Sequence, residues 1–151
     1  MKFICLVLLL ALGLASGKRD MSSWVPLHDK EFYFNVGTAN FEDAEAYCIN
    51  HGGKLFEPKS SNVNMDITDL AKTRGISDFW IGINDKSQEG TFVYASDATP
   101  IIWNNWIDGQ PAPGYQDCVM IGWGPISEWD DITCSDLYSF VCERGMCYYV
   151  Y

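Results

Sequence analysis

The chain has 151 residues, 48% of them hydrophobic, which is enough for one domain with a sizeable core. Its formal net charge of −10 at pH 7 argues against binding to nucleic-acid phosphates and to anionic membrane surfaces. The same acidity is compatible with cation binding, and it is also common among soluble secreted proteins.

Residues 1–17 have the pattern of a secretory signal peptide. Lys2 precedes an apolar run, Phe3–Leu14, and the small residues just after it fit a signal-peptidase site. The run is too short to cross a bilayer, and no second apolar stretch follows it. We therefore expect a secreted, extracellular protein without a membrane span, in which residues 18–30 form a short N-terminal arm.

A strand and two helices are predicted next. Residues 31–36 alternate between polar and aromatic or β-branched side chains, which is typical of a strand. Thr38 or Asn40 can cap a helix that places one apolar face on Phe41, Ala44, Tyr47 and Cys48. Residues 60–75 predict a second helix with an apolar stripe of Val63, Ile67, Leu70 and Ala71.

Short strands are predicted in the second half of the chain, at residues 79–84, 91–94, 118–123, 128–129 and 139–142. A long irregular stretch between about Ala95 and Asp117 interrupts them, and loops of this kind in compact domains are usually functional. Helices followed by strands favour the α+β class with an antiparallel sheet.

Side-chain oxygens are concentrated around the end of this irregular stretch. A loop rich in proline and glycine spans Gly109–Gly114, and the oxygen-bearing residues nearby are Gln110, Gln116, Asp117, Asp130 and Asp131. A loop with many oxygen donors suits a hard cation or a polyol ligand. The alternative is an acidic surface loop that is merely solvated.

Removal of the signal peptide would remove Cys5 and leave Cys48, Cys118, Cys134, Cys142 and Cys147. In an oxidising compartment these cysteines are expected to pair, and no CxxC pair suggests a zinc site. Five cysteines can form two disulfide bridges, and one cysteine then remains unpaired.

The order of motifs resembles the C-type lectin-like domain. The motifs are a helix carrying Cys48, the WIGI strand Trp80–Ile83, Glu89-Gly90 before an aromatic strand, WNNW and GQP within 103–111, Asp117-Cys118, WDD before Cys134, and the final Phe140-Val-Cys142-Glu. The resemblance covers residues 32–143. It implies a domain over residues 31–144 with two helices, small antiparallel sheets and a long irregular loop region.

The resemblance also implies the disulfide pairs Cys48–Cys142 and Cys118–Cys134. Cys147, in the tail 145–151, is then the odd cysteine. An odd cysteine in a secreted chain predicts an intermolecular disulfide and hence a homodimer. A small-thiol cap and pairing with the tail of a different chain are the alternatives.

In sugar-binding members of the family, a calcium ion is held by a Glu-Pro-Asn or Gln-Pro-Asp triplet, an acidic residue two before the third cysteine, and a Trp-Asn-Asp unit. Vicinal sugar hydroxyls complete the coordination. The corresponding positions here are Gln110-Pro111-Ala112, Gln116, Asp130 and Asp131. Ala112 has no side-chain oxygen, and Gln116 is neutral. The loop therefore holds either a calcium site with fewer ligands or a fold that has lost the ion.

The Gln110-Pro111 start resembles the galactose-type triplet, which an aromatic ring against the sugar often accompanies. Tyr115 and Trp123 are candidates for that ring, and ordinary packing is the alternative for both. Trp80, Trp103, Trp106 and Trp129 are assigned to the core or the base of the loop. Asp117 occupies a position where some family members bind a second calcium.

The predicted function is that of a secreted carbohydrate-binding lectin, calcium-dependent and with galactose-type preference, acting on glycans or glycoproteins in recognition or innate defence. The alternative is a calcium-independent lectin-like module that binds protein, ice or mineral surfaces, which Ala112 and Gln116 favour. No enzyme is predicted, since no nucleophile lies recognisably beside a histidine and no HExxH or phosphate loop occurs. Asp130 and Asp131, as neighbours in a strand, are expected to point to opposite faces rather than to form a catalytic pair.

Overall fold

The computed structural model describes residues 24–122 and 127–146. In chain order its elements are β1 (Trp24–Leu27), β2 (Lys30–Ala39), α1 (Phe41–Asn50), β3 (Lys54–Leu55), α2 (Ser61–Lys72), β4 (Phe79–Asn84), β5 (Val93–Tyr94), β6 (Cys118–Ile121), β7 (Trp129–Ile132) and β8 (Tyr138–Gly145). The strands form one sheet in the order β1-β2-β8-β4-β6-β7, with β3 beside β8 and β5 beside β4. Helices α1 and α2 together with this sheet confirm the predicted α+β class.

The sheet differs from the predicted small antiparallel sheets in two respects. It is continuous through the described strands, and β4 runs parallel to β8, with Phe79 opposite Ser139 and Trp80 opposite Phe140. A parallel pair needs a long crossover connection, which the many residues between β4 and β8 supply. Local hydrophobic patterns do not reveal the direction of a partner so distant in sequence.

Strand β1 corrects the prediction of an N-terminal arm over residues 18–30; residues 18–23 lie outside the described part of the chain. β1 pairs antiparallel with β2, placing Trp24 opposite Tyr33. The two rings lie 5.9 Å apart between centroids, and the Arg144 guanidinium lies 4.0 Å from the centroid of the Trp24 ring. These contacts join distant parts of the chain, so the local pattern of the segment does not predict them.

Both helices form where the apolar spacing predicts them. The side chain of Asn40 caps α1 by accepting a hydrogen bond from the Asp43 backbone N–H at 2.8 Å, which satisfies one of the free donors of the first turn. α1 buries Phe41, Ala44 and Cys48. Among the described residues, no helix combines the length and hydropathy needed to span a membrane.

Strand β4 is buried along its whole length and separates two clusters of core residues. Phe79, Ile81 and Ile83 pack in one cluster, whereas Trp80 packs in the other. Alternate side chains of a strand point to opposite faces, so β4 is covered on both faces. A Cβ at Gly82 would lie 3.0 Å from the Leu55 carbonyl oxygen, so the backbone of β3 approaches β4 closely at this glycine.

The structure contains the disulfides Cys48–Cys142 and Cys118–Cys134, the pairs that the resemblance implies. The first joins α1 to β8 across 94 residues of sequence, and the second joins β6 to the segment after β7 across 16. By loop entropy the first stabilises the fold by about 4 to 5 kcal/mol and the second by about 3 kcal/mol. Cys147 lies outside the described residues.

The segment between β5 and β6 contains neither helix nor strand, as predicted, and its base rests on three tryptophans. The rings of Trp103 and Trp106 each meet the ring of Trp129 edge to face, with centroids 5.2 and 5.5 Å apart. The Trp129 backbone N–H donates to the Asn105 backbone carbonyl at 2.8 Å, and the Ile107 backbone N–H donates to the Trp129 backbone carbonyl at 2.9 Å. The long loop is thereby fixed beside the start of β7.

Candidate functional site

Strand β7 and the end of the long loop bring three predicted residues together. The peptide bond between Gln110 and Pro111 is cis. The Gln110 side chain lies close enough to the Asp130 carboxylate to lower its pKa, and the Ala112 backbone N–H donates to Asp131 Oδ1 at 3.1 Å. Although Asp130 and Asp131 are neighbours in a strand, both therefore contact the same triplet.

Each of these three residues has one buried oxygen without a hydrogen-bond partner: Gln110 Oε1, Asp130 Oδ1 and Asp131 Oδ2. Buried polar atoms in folded proteins are nearly always hydrogen-bonded, so three unpartnered acceptors on contacting residues require an explanation. Amide and carboxylate oxygens are ligands that calcium prefers. The donor set at this place fits a calcium ion, although it is smaller than the six to eight oxygens that calcium takes.

Burial raises the pKa of both aspartates above the ordinary value of 3.8. For Asp130, the hydrogen bond from Gln110 opposes this rise in pKa. For Asp131, the Ala112 N–H opposes it, while the charges of Asp130 and Glu89 add to it. Asp131 is 1% exposed, so its carboxylate is held out of water without a compensating cation among the described residues.

The remaining predicted residues are placed differently. Gln116 is half-buried, and within the described residues no hydrogen bond links it to the other three. Ala112 contributes its backbone N–H alone. The Tyr115 side chain is 95% exposed, so the alternative interpretation, that this ring packs in the protein interior, is wrong. Trp123 lies outside the described residues.

A second acidic group adjoins the loop, and sequence reasoning identified only Asp117 of it. The Asp85 N–H donates to the Asp117 carbonyl at 3.1 Å, and Glu89 accepts from the Gly114 N–H at 3.2 Å. Asp85 is 2% exposed, and its Oδ1 has no partner. Burial raises the pKa of Asp85, and the charges of Glu89 and Asp117 raise it further. The sequence feature that could have identified Asp85 is its position directly after the buried strand β4.

One further group of potential metal ligands is not available for a metal. Glu42 lies near Cys118 and Cys134, but the two sulfur atoms form a disulfide. The unpartnered oxygens are therefore concentrated in the long-loop region, on Gln110, Asp130, Asp131 and Asp85.

The chain belongs to the C-type lectin domain family, whose sequence model, described as "Lectin C-type domain", matches residues 37–144. Chicken (Gallus gallus) collectin-10 is 36% identical over 119 residues, which are 76% of this chain and 42% of the relative. The chain therefore spans about two fifths of the length of that collectin. Salivary C-type lectin 2 of Aedes albopictus is 33% identical, and the match covers 76% of this chain and 83% of the relative.

A solved structure gives the same result for the fold. The C-type carbohydrate-recognition domain of cow CD23, determined in the presence of GlcNAc2Man3 oligosaccharide, superposes with a TM-score of 0.73. Its sequence is 30% identical, and the match covers 83% of this chain and 95% of that domain. Members of this family are generally binding proteins rather than enzymes.

Proposed function

We propose that this protein is a secreted lectin that binds glycans through a calcium ion held by Gln110, Asp130 and Asp131, with Gln116 as an additional neutral ligand. The observation that carries the proposal is the set of three unpartnered buried oxygens on contacting residues. Family membership and the carbohydrate-recognition domain among the similar structures support a sugar ligand.

Calcium, when bound, would supply the positive charge that holds two vicinal sugar hydroxyls. The protein's own residues orient these partners. Asp131 keeps Oδ1 on the Ala112 N–H and has Oδ2 free for the ion, and Asp130 Oδ1 is free beside the Gln110 side chain. The Gln-Pro start of the triplet supports a preference for galactose-type sugars.

Calorimetric titration of the oxidised protein with calcium tests this proposal, first alone and then with excess galactose or mannose. We expect saturable calcium binding that galactose tightens more than mannose does. Absence of calcium heat up to millimolar concentrations would contradict the proposal. It would favour the second candidate, a calcium-independent module for protein, ice or mineral surfaces, which the missing oxygen at Ala112 and the neutral Gln116 support.

Replacing Ala112 with aspartate should strengthen calcium binding about tenfold, because the number of charged ligands sets calcium affinity. The Ala112 N–H already contacts Asp131, so a carboxylate at this position begins beside the proposed ion. Ala112→Asn is the matched control, which adds a neutral oxygen and should have a smaller effect. Equal affinity of the parent and Ala112→Asp, measured by calorimetry, would show that residue 112 is not at the ion.

Replacing Tyr115 with alanine should weaken sugar binding about fivefold, since an aromatic contact contributes about 1 kcal/mol. The side chain is 95% exposed, so the melting temperature should not change. Calcium affinity without sugar should stay at the parent value, and Tyr115→Phe should retain sugar binding. Unchanged sugar affinity of the alanine variant would exclude Tyr115 from the sugar platform.

Calcium affinity should fall at a higher pH than ordinary aspartates would allow. The pKa values of Asp130 and Asp131 are raised, so protons compete with calcium already above the usual range near 3.8. The stability of the calcium-free protein should depend on pH in the opposite direction, decreasing as the pH rises. A raised native pKa contributes stability that is present below the unfolded pKa and is lost as pH rises through the native value. Titrations and melting curves between about pH 4 and 7, with calcium and with a chelator, measure both trends, and calcium affinity that is constant over this range would contradict the prediction.

Secretion, cleavage after Gly17, a role in innate defence and a homodimer through Cys147 stay predictions. Residues 1–17 and Cys147 lie outside the described residues, and the described disulfides are intramolecular. Mass spectrometry of the mature protein with and without reductant measures the new N-terminus and the covalent state together.

A further inference from the structure

The long-loop half of the chain is almost free of positive charge. Residues 85–136 contain nine acidic residues and a single basic residue, Lys86. Lys86 Nζ bonds Glu42 Oε1 at 3.1 Å and lies 4.8 Å from the centroid of the Phe41 ring, so it is directed toward α1. No lysine or arginine of this half is therefore available to meet an anionic ligand at the loop.

The basic residues described in the first half of the chain and in β8 are engaged elsewhere. Lys30 and Lys54 pair with the buried Glu143, and Arg144 pairs with Glu31 at 2.8 Å. Lys59 and Arg74 lie over the rings of Tyr94 and Phe34. Sialylated, sulfated or uronate-bearing glycans would thus meet an uncompensated negative surface.

The three unpartnered oxygens can also bind a cation other than calcium. Gln110 Oε1, Asp130 Oδ1 and Asp131 Oδ2 are three acceptors on contacting residues, two of them carboxylates. A primary ammonium has three N–H donors and one positive charge, whereas calcium takes six to eight oxygens. Asp131 is 1% exposed, so its unpartnered oxygen is desolvated and gains most from a charged hydrogen bond.

We propose that these three oxygens accept the protonated amine of an amino sugar directly, so that cationic, deacetylated glycans are calcium-independent ligands and anionic glycans are excluded. The inference deepens the proposed function and shares its location, but it does not need the ion. A sugar is favoured over a lysine side chain as the source of the amine because Tyr115, in the same loop as Gln110 and 95% exposed, can present a ring face to a pyranose.

The test compares tetraglucosamine with tetra-N-acetylglucosamine, which differ only in the acetyl groups that remove the charge. Binding to the oxidised protein is measured by calorimetry at about pH 6 with a calcium chelator. We expect tetraglucosamine to bind at least about tenfold more tightly than its acetylated counterpart, and we expect Asp130→Asn and Asp131→Asn each to reduce this binding at least about tenfold. A sialylated or sulfated tetrasaccharide should give no binding.

Matched controls separate a site from general attraction between opposite charges. Asp69→Asn and Asp136→Asn remove one negative charge at exposed positions outside the triplet, and both should bind tetraglucosamine like the parent. Equal binding of the two tetrasaccharides, equal loss in all four variants, or tighter binding of a lysine tetrapeptide than of tetraglucosamine would each overturn the proposal. Calcium-dependent galactose binding, measured on the same protein preparation after the chelator is replaced by calcium, reports separately on the proposed function.

Discussion

Replacing Asp131 with asparagine should abolish calcium binding and at the same time stabilise the calcium-free protein. Asp131 is 1% exposed, its Oδ2 has no partner, and its pKa is raised by burial and by the charges of Asp130 and Glu89. Asparagine keeps the shape and an acceptor for the Ala112 N–H but removes the uncompensated charge. Loss of partners outside the ligand shell costs 10- to 100-fold in metal affinity, so loss of a direct ligand should cost at least about 100-fold.

The two opposite effects are measured on one sample. Calorimetry should show no calcium heat for Asp131→Asn, while its melting temperature in chelator should rise by about 2 to 4 °C, which corresponds to about 1 kcal/mol for a chain of this size. Asp69→Asn, with the same change in net charge on the exposed face of α2, should leave both quantities unchanged. A variant that binds calcium like the parent, or that melts at a lower temperature in chelator, would show that Asp131 has a structural role instead.

Replacing Asn64 with alanine should have the largest effect on stability. The Asn64 amide is buried in α2, where it donates to the Ser127 carbonyl at 2.9 Å and accepts from the Trp129 indole N–H at 2.9 Å. Alanine would leave the buried Trp129 indole N–H without its acceptor, at a cost of about 1 to 3 kcal/mol. The Ser127 carbonyl would keep the hydrogen bond that it accepts from Asn105 Nδ2 at 2.9 Å. We therefore expect the free energy of unfolding to fall by about 1 to 3 kcal/mol.

The same substitution should weaken the candidate site, because Trp129 directly precedes Asp130 and its ring supports the base of the long loop. Denaturant unfolding gives the loss of stability, and calcium titration of the folded variant gives the effect on the site. Asn62→Ala, an exposed residue of the same helix, is the control and should change neither measurement. Stability equal to that of the control would mean that the buried amide does not contribute as described.

Elements defined by local patterns can be predicted from the sequence almost residue by residue. The helical spacing of apolar side chains, the Asn40 cap and the flanking glycines define α1, and the continuous apolar run defines β4 with its buried Gly82. Features that depend on distant partners cannot be predicted in this way. β1 is stabilised by Tyr33 and Arg144, and the parallel direction of β4 and β8 depends on the chain between them.

The candidate site shows the same division. The resemblance identifies Gln110, Asp130 and Asp131 by their order in the chain, but it does not show which of their oxygens lack a partner. That property depends on the tertiary contacts with the triplet. Asp85 becomes notable only when the fold buries it with an unpartnered oxygen near other acids. The exposure of Tyr115 likewise depends on the path of the loop rather than on its composition.

The pairing of β2 with β8 has a consequence for how this domain can be attached to other objects. Tyr33 of β2 pairs with both Trp24 of β1 and Cys142 of β8, so the first described residue lies only two strands away from the last strand. β1 and β7 are the opposite edges of the principal strand order, and β7 carries Asp130 and Asp131. A stalk, a neighbouring domain or a sensor chip joined at either end would therefore hold the molecule away from the edge that contains the unpartnered oxygens. The same adjacency suits circular permutation, in which a short linker joins residues 24 and 146 and new ends open at the exposed turn after α2.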